Sequence, residues 1–249
     1  AKIKREMWGV SINLSVHPVR PSPHIRAFDR MHMMFFMWGA IHTPARGATV
    51  RFTGLKGIMK KIPTLFKRTF DEHHRKHTTD ELTPGLEWVL EGRGVATVKY
   101  DGTCCAIMDG RFYRRYDAKK GKTPPPGAFP CCDPDPVTGH WPHWLECDFG
   151  NTADNWHLAA LYNAGGFNLR AGTYEAIGPH FQKNPYNLSH DVLVRHGVDV
   201  IRDCPRSFEG LRDYLQSHII EGIVFWLDGK PMCKIKRSDF GFKWPDAQP

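Results

Sequence analysis

In TVKYDGTCC (97–105) a lysine sits two residues ahead of an Asp-Gly pair, a setting in which a side-chain amine can do covalent chemistry. Alternation puts Val98 and Tyr100 on one side of the stretch and Thr97, Lys99 and Asp101 on the other. If that second side is solvent, Lys99 is an ordinary surface charge; if it is a cleft, Lys99 is a candidate nucleophile. An amine with a pKa near ~10.4 attacks at neutral pH only when desolvation or neighbouring cations lower that value. Lys234 and Lys236, in CKIKR, could supply the field and clamp phosphate oxygens. Glu175 in TYEAIG and Glu221 in EGIVF could hold a divalent metal, which would neutralise a triphosphate and its leaving pyrophosphate. Taken singly, each of these charges has a plainer reading as a solvated or cross-strand paired group.

The elements that must position them can be read in outline. IIEGIVFWLDGKPMCKIKR reads as a hairpin with Asp228-Gly229 at its tip. With Leu227 opposite Lys230, an unbroken ladder sets Glu221 against Lys236 and Ile223 against Lys234. All four side chains then share one face, and Gly222, Val224, Cys233 and Ile235 take the other. Upstream, LEWVLEGRGVATVKYDG reads as two strands around the turn EGRG, and a strand is expected around 173–178. HDVLVRHG gives a short apolar run, and Phe208, Leu211 and Leu215 mark a helix beginning near Ser207. The Pro- and Gly-dense stretch over 117–155 reads as loop.

Other signals exclude functions. GKT (121–123) resembles the end of a phosphate-binding loop, but Tyr116 stands where that loop needs glycine and three prolines replace its helix. Cys131, Cys132, His140, His143 and Cys147 invite a zinc reading, yet no CxxC pair occurs and the spacing fits no standard module. Seven cysteines, an odd number with two adjacent pairs, point to a reducing, cytoplasmic or otherwise intracellular setting. No secretory leader is visible and no apolar run is long enough to cross a bilayer, so no membrane partner is expected. The net charge of +8 divides unevenly, +7 over residues 1–58 and +1 over residues 59–249. The first segment, with five of the eight methionines and little periodicity, reads as a basic, weakly structured extension, with a phosphate-contacting arm as the alternative. The remainder, 59–249, reads as the catalytic domain.

KYDGT (99–103), the arginines of RRYD (114–117), YEAIG (174–178), EGIVF (221–225) and CKIKR (233–237) resemble, in order, the nucleotidyltransferase motifs of the covalent ligase and capping-enzyme superfamily. KKIPTLFKRTF and WVLEGRGVATVKYDGT are similar to the lead-in of small ATP-dependent RNA ligases. DGTCC, NPYN and GFKWP resemble the RNA ligase 1 family of 5′-to-3′ RNA ligases. The resemblance covers residues 60–245 and none of the first segment. A lone KxDG would be weak; five motifs in order are specific.

The resemblance implies that Lys99 attacks the α-phosphorus of ATP and becomes a lysyl-adenylate, with Asp101 and Gly102 shaping the turn that presents it. It implies that Arg115, or less expectedly Arg114, contacts the nucleotide sugar or the incoming 5′-phosphate, and that Glu175 binds the ribose. Glu221, with Glu175, would hold Mg2+ or Mn2+, and Lys234 and Lys236 would bind the α-phosphate in flight. His196 falls where the superfamily places a base-stacking aromatic, although a histidine there also fits as a satisfied strand-end residue. The implied fold is α+β, an adenylation domain of antiparallel sheets with ATP between them. About a dozen residues follow CKIKR, so no C-terminal OB-fold is expected. The expected substrate is RNA bearing 5′-phosphate and 3′-hydroxyl ends, in an RNA-repair ligation needing no obligate protein partner. The rivals are a DNA or nick ligase, a capping-type nucleotidyltransferase and, from another class, a non-catalytic nucleic-acid binding module.

Overall fold

The structure is a computed structural model and describes residues 61–70, 72 and 76–245. The basic first segment expected over 1–58 lies outside them.

The fold turns on two antiparallel sheets joined by the KYDG turn. The smaller has the order β11-β10-β3, built from β3 (Val95–Lys99), β10 (Gly222–Leu227) and β11 (Lys230–Lys236). Ala96 and Val98 of β3 fall on the face of Ile223 and Phe225, where Cys233 and Ile235 are also buried. Leu65, Phe66, Leu86, Trp88, Val89, Leu211 and Leu215 complete this core. They come from β1 (Phe66–Phe70) and the residue before it, from α1 (Glu87–Leu90) and the residue before it, and from a later helix, Phe208–Ser217; β1 pairs with β2 (Lys76–Leu82). That helix starts where Ser207 Oγ accepts the Gly210 N–H at 3.1 Å, a serine N-cap satisfying an otherwise orphaned donor. Both edges of the small sheet are covered. Leu65 N donates to Lys234 O (2.8 Å) on one side, and Val98 N to Asp199 O (2.9 Å) on the other.

The larger sheet runs β6-β7-β5-β4-β8-β9. Its strands are β4 (Thr103–Met108), β5 (Arg111–Ala118), β6 (Phe129–Pro130), β7 (Trp141–Glu146), β8 (Gly172–Ile177) and β9 (Val192–Arg195). The helix α2 (Asn155–Asn163) packs Leu158, Ala160 and Leu161 on the face carrying Cys105, Ile107, Phe112, Tyr174 and Ala176. The opposite face buries Cys104, Ala106, Met108, Tyr113 and Trp144. The helix Phe208–Ser217, α3, follows β9 in chain order. The molecule is α+β with antiparallel sheets, as expected.

Three details differ from the sequence reading. EWVL is the helix α1 rather than a strand, so EGRG links a helix to β3. The stretch over 117–155 is not all loop, because β6 and β7 extend the large sheet past β5. In the hairpin, Asp228 and Gly229 take left-handed φ values of 49° and 71°, the paired values a tight two-residue turn needs, and Leu227 does face Lys230. The ladder then shifts by one residue between Phe225 and Trp226, beside Pro231, which has no N–H to give it. Lys234 therefore faces Val224 and Lys236 faces Gly222.

Candidate active site

The corrected register creates the central feature. Lys99, Gly222 and Lys236 form one row across three strands, because Gly222 pairs with both lysines. Directly opposed residues share a face, so the two ammonium groups project together from either side of a residue with no side chain. Gly222 is required by close approach: a Cβ there would lie 2.3 Å from the Ile235 carbonyl oxygen. Glu221, one residue before the strand, supplies the charge between them. Lys99 Nζ donates to its Oε2 (2.5 Å) and Lys236 Nζ to its Oε1 (2.7 Å), and the residue is only 3% exposed. Glu221, Lys99 and Lys236 are thus brought together, through a pairing other than the one an unbroken ladder implies. Lys234 lies in the next row, opposite Val224 and Thr97. Burial, and then the cations Lys99, Lys236 and Arg68, lower its pKa to about 8. Arg68 itself is engaged by buried Asp239 at 2.5 Å. The patch thus carries more cation than anion, and Lys234 has no carboxylate bonded to it among the described residues.

The turn out of β3 links this row to the large sheet. Gly102 is also forced by close approach, since a Cβ would lie 2.1 Å from the Ala176 carbonyl oxygen. Its N–H donates to Glu175 Oε1 at 3.0 Å. His196 bonds Glu175 Oε2 through Nε2 and Thr173 Oγ1 through Nδ1, both at 2.9 Å. Its ring edges are therefore both tied, and its faces alone are left for stacking. Asp101 has its carboxyl pKa raised by burial first and by Glu221 second. The two arginines of RRYD separate cleanly. Arg114 pairs with Cys105 on the α2 side and bonds buried Asp154 at 2.5 Å. Arg115 falls on the opposite face, that of Cys104 and Glu175, and bonds Asp117 at 3.0 Å.

Cys104 and Cys105 are core residues at 4% and 0% exposure, and the cysteines are free thiols. Among the described residues no group of three or more His, Cys, Asp or Glu side chains is placed to hold a metal ion. Glu221 is bonded to Lys99 and Lys236, and Glu175 to the Gly102 N–H and His196.

Sequence reasoning missed three residues at the site. Arg68 arrives because Thr64 bridges Lys234 in parallel, a contact of long sequence separation. Tyr186 OH accepts the Asp101 N–H at 2.6 Å, and Trp244 Nε1 donates to Asp101 Oδ2 at 3.0 Å. Both belong to stretches the resemblance had singled out, NPYN and GFKWP, without assigning them a role.

Among the described residues no helix is long and apolar enough to cross a membrane. The model of the RNA ligase 1 family matches residues 166–249, a span holding Glu175, Tyr186, His196, Glu221, Lys234, Lys236 and Trp244. A curated protein from Danio rerio described as RNA ligase 1 is 30% identical over 44% of this chain and 43% of its own length. The chain thus spans less than half of the relative it matches. By these two matches, the chain is similar to the RNA ligase 1 family over part of its length.

Proposed function

We propose that this chain is an ATP-dependent RNA ligase that works through a lysyl-AMP at Lys99. The observation that carries the reading is the row Lys99–Gly222–Lys236 closed by Glu221, with the cation-rich patch at Lys234 beside it. The name of the relative adds the substrate class.

Lys99 Nζ attacks the α-phosphorus of ATP; an N–P bond forms, the bond to the bridging β-oxygen breaks, and pyrophosphate leaves. The proton leaving Nζ has Glu221 Oε2 as its bonded acceptor. Lys236 and Lys234 stabilise charge on the phosphoryl oxygens as it develops, and in a partly dry site such contacts count for more than in water. Glu175 receives the ribose, and Arg115, on the same face, takes the sugar or the incoming 5′-phosphate. A divalent metal bound with the phosphates would draw its protein oxygens from Glu221 or Glu175 and neutralise the leaving pyrophosphate. The adenylyl group then passes to an RNA 5′-phosphate, and a 3′-hydroxyl displaces AMP.

The test is end joining. Single-stranded RNA with a 5′-phosphate and a 3′-hydroxyl, incubated with the protein, ATP and Mg2+ or Mn2+, is expected to yield joined product and some adenylylated 5′ ends. RNA lacking the 5′-phosphate should give neither. Joining without the 5′-phosphate, or none with it, contradicts the proposal; equal joining of the matching DNA favours the nick-ligase reading.

A further inference from the structure

Asp101 is gripped from two sides by segments that lie far from it in sequence. Its N–H is taken by Tyr186 OH (2.6 Å) and its carboxylate by Trp244 Nε1 (3.0 Å). The two rings also meet each other, with centroids 5.8 Å apart, and Tyr186 meets Tyr100 edge-on at 5.4 Å. Three residues of the lysine turn, Tyr100, Asp101 and Gly102, are thereby held, since Gln182 Nε2 reaches Gly102 O at 3.3 Å.

One gripping segment is held in an unusual backbone conformation, and the other is tied down by a buried arginine. Gln182, Lys183 and Asn184 occupy the left-handed region in succession, with φ of 46°, 60° and 53°, and Asn187 follows at 50°. Non-glycine residues adopt that region as isolated cases, so three in a row mark a segment held by its surroundings. Asn184 does part of this, bonding both Leu188 N and Leu188 O through its side chain at 2.9 Å. The C-terminal segment is fixed by buried Arg237, whose Nε donates to Lys243 O (3.3 Å) and whose Nη1 donates to Leu215 O and to His218 O (2.7 Å). Backbone strain of this kind concentrates where a function needs one geometry.

We infer that Tyr186 and Trp244 are positioning residues for Lys99: by fixing Asp101 from both sides they hold the turn that aims the amine. The inference rests on the lysyl-AMP reading above. Neither side chain need touch the nucleotide for this, so their loss should slow the chemical step while leaving nucleotide affinity in place.

Tyr186→Phe removes only the acceptor and Trp244→Phe only the N–H donor, each keeping a ring in place. At saturating ATP and Mg2+, single-turnover formation of the Lys99 adduct should slow about five- to tenfold in each, the scale of one lost hydrogen bond at an oriented group. The Kd of a non-hydrolysable ATP analogue should stay within about twofold, and hydrogen exchange across residues 99–103 should quicken in the unliganded protein. The double variant should lose less than the product of the two singles, because both act on one residue. Unchanged rates at saturating ATP, loss confined to analogue affinity, or unchanged exchange across the turn would overturn the inference. If one variant melts early, the other carries the test alone. Failure of the wild type to form any adduct would instead overturn the lysyl-AMP reading, whatever the exchange measurement gives.

Discussion

At the scale of single residues, the charges at the site differ in what holds them, and this makes their loss distinguishable. Lys99 and Lys236 are bonded to Glu221, whereas Lys234 is lowered to about 8 by burial and neighbouring cations. Between that value and the ordinary 10.5 the unfolded chain binds the proton and the native chain does not. The Lys234 contribution to stability therefore rises with pH across this window. Affinity for an anion moves the other way, since it needs the charged amine and falls as pH climbs through about 8. Titration calorimetry with a non-hydrolysable ATP analogue should find tighter binding at pH 7 than at pH 9, and Lys234→Met should flatten that difference. The arginine pair gives a second separation. Arg114→Ala removes the counter-charge of the buried Asp154 carboxylate, leaving it only the Asp148 N–H and Asn151 Nδ2 as donors, and should cost about 3 kcal/mol in denaturant unfolding, whereas Arg115→Ala, losing an exposed pair with Asp117, should cost under about 1 kcal/mol and weaken nucleotide or RNA binding instead.

At the scale of elements, the site depends on strand register more than on any local motif. The Asp228-Gly229 tip, the Ser207 helix start and the β8 strand were legible because their signals are local: turn chemistry, a cap, and alternation. The one-residue shift beside Pro231 was not, because a bulge leaves the alternation of each strand intact and changes only which residues face each other. It exchanged Glu221 for Gly222 opposite Lys236, yet left the carboxylate in reach from the strand end. EWVL misled for a different reason, since four apolar-rich residues are too short for period to separate helix from strand. The contacts of Arg68, Tyr186 and Trp244 were hidden by sequence separation, which no local pattern encodes. Gly222 provides the element-scale prediction. Gly222→Ala would push a methyl group into the Ile235 carbonyl, so it should lower the melting temperature and abolish adduct formation, even though the substituted residue has no catalytic atom. Wild-type stability and labelling in that variant would mean that the three-strand row is not set as closely as described.

At the scale of the whole molecule, the two larger sheets are joined by the KYDG turn and again by the segment between β9 and β10, and the residues with chemical potential gather along the turn. The small sheet gives three lysines and a glutamate, the large sheet gives Glu175 and Arg115, and the 178–191 and 237–245 segments grip the connection. The part of the chain matched by the RNA ligase 1 family model, residues 166–249, lacks Lys99 itself. If Lys99 is the nucleophile, the two parts must function together, with Lys99, Asp101, Gly102 and Arg115 coming from before the matched span and Glu175, Glu221, Lys234 and Lys236 from within it. The direct measurement is intact mass after incubation with ATP and Mg2+ or Mn2+, followed by peptide mapping. The wild type should gain one adenylyl group, on Lys99, and Lys99→Ala should gain none. No gain in the wild type, or an equal gain in Lys99→Ala, would contradict the account.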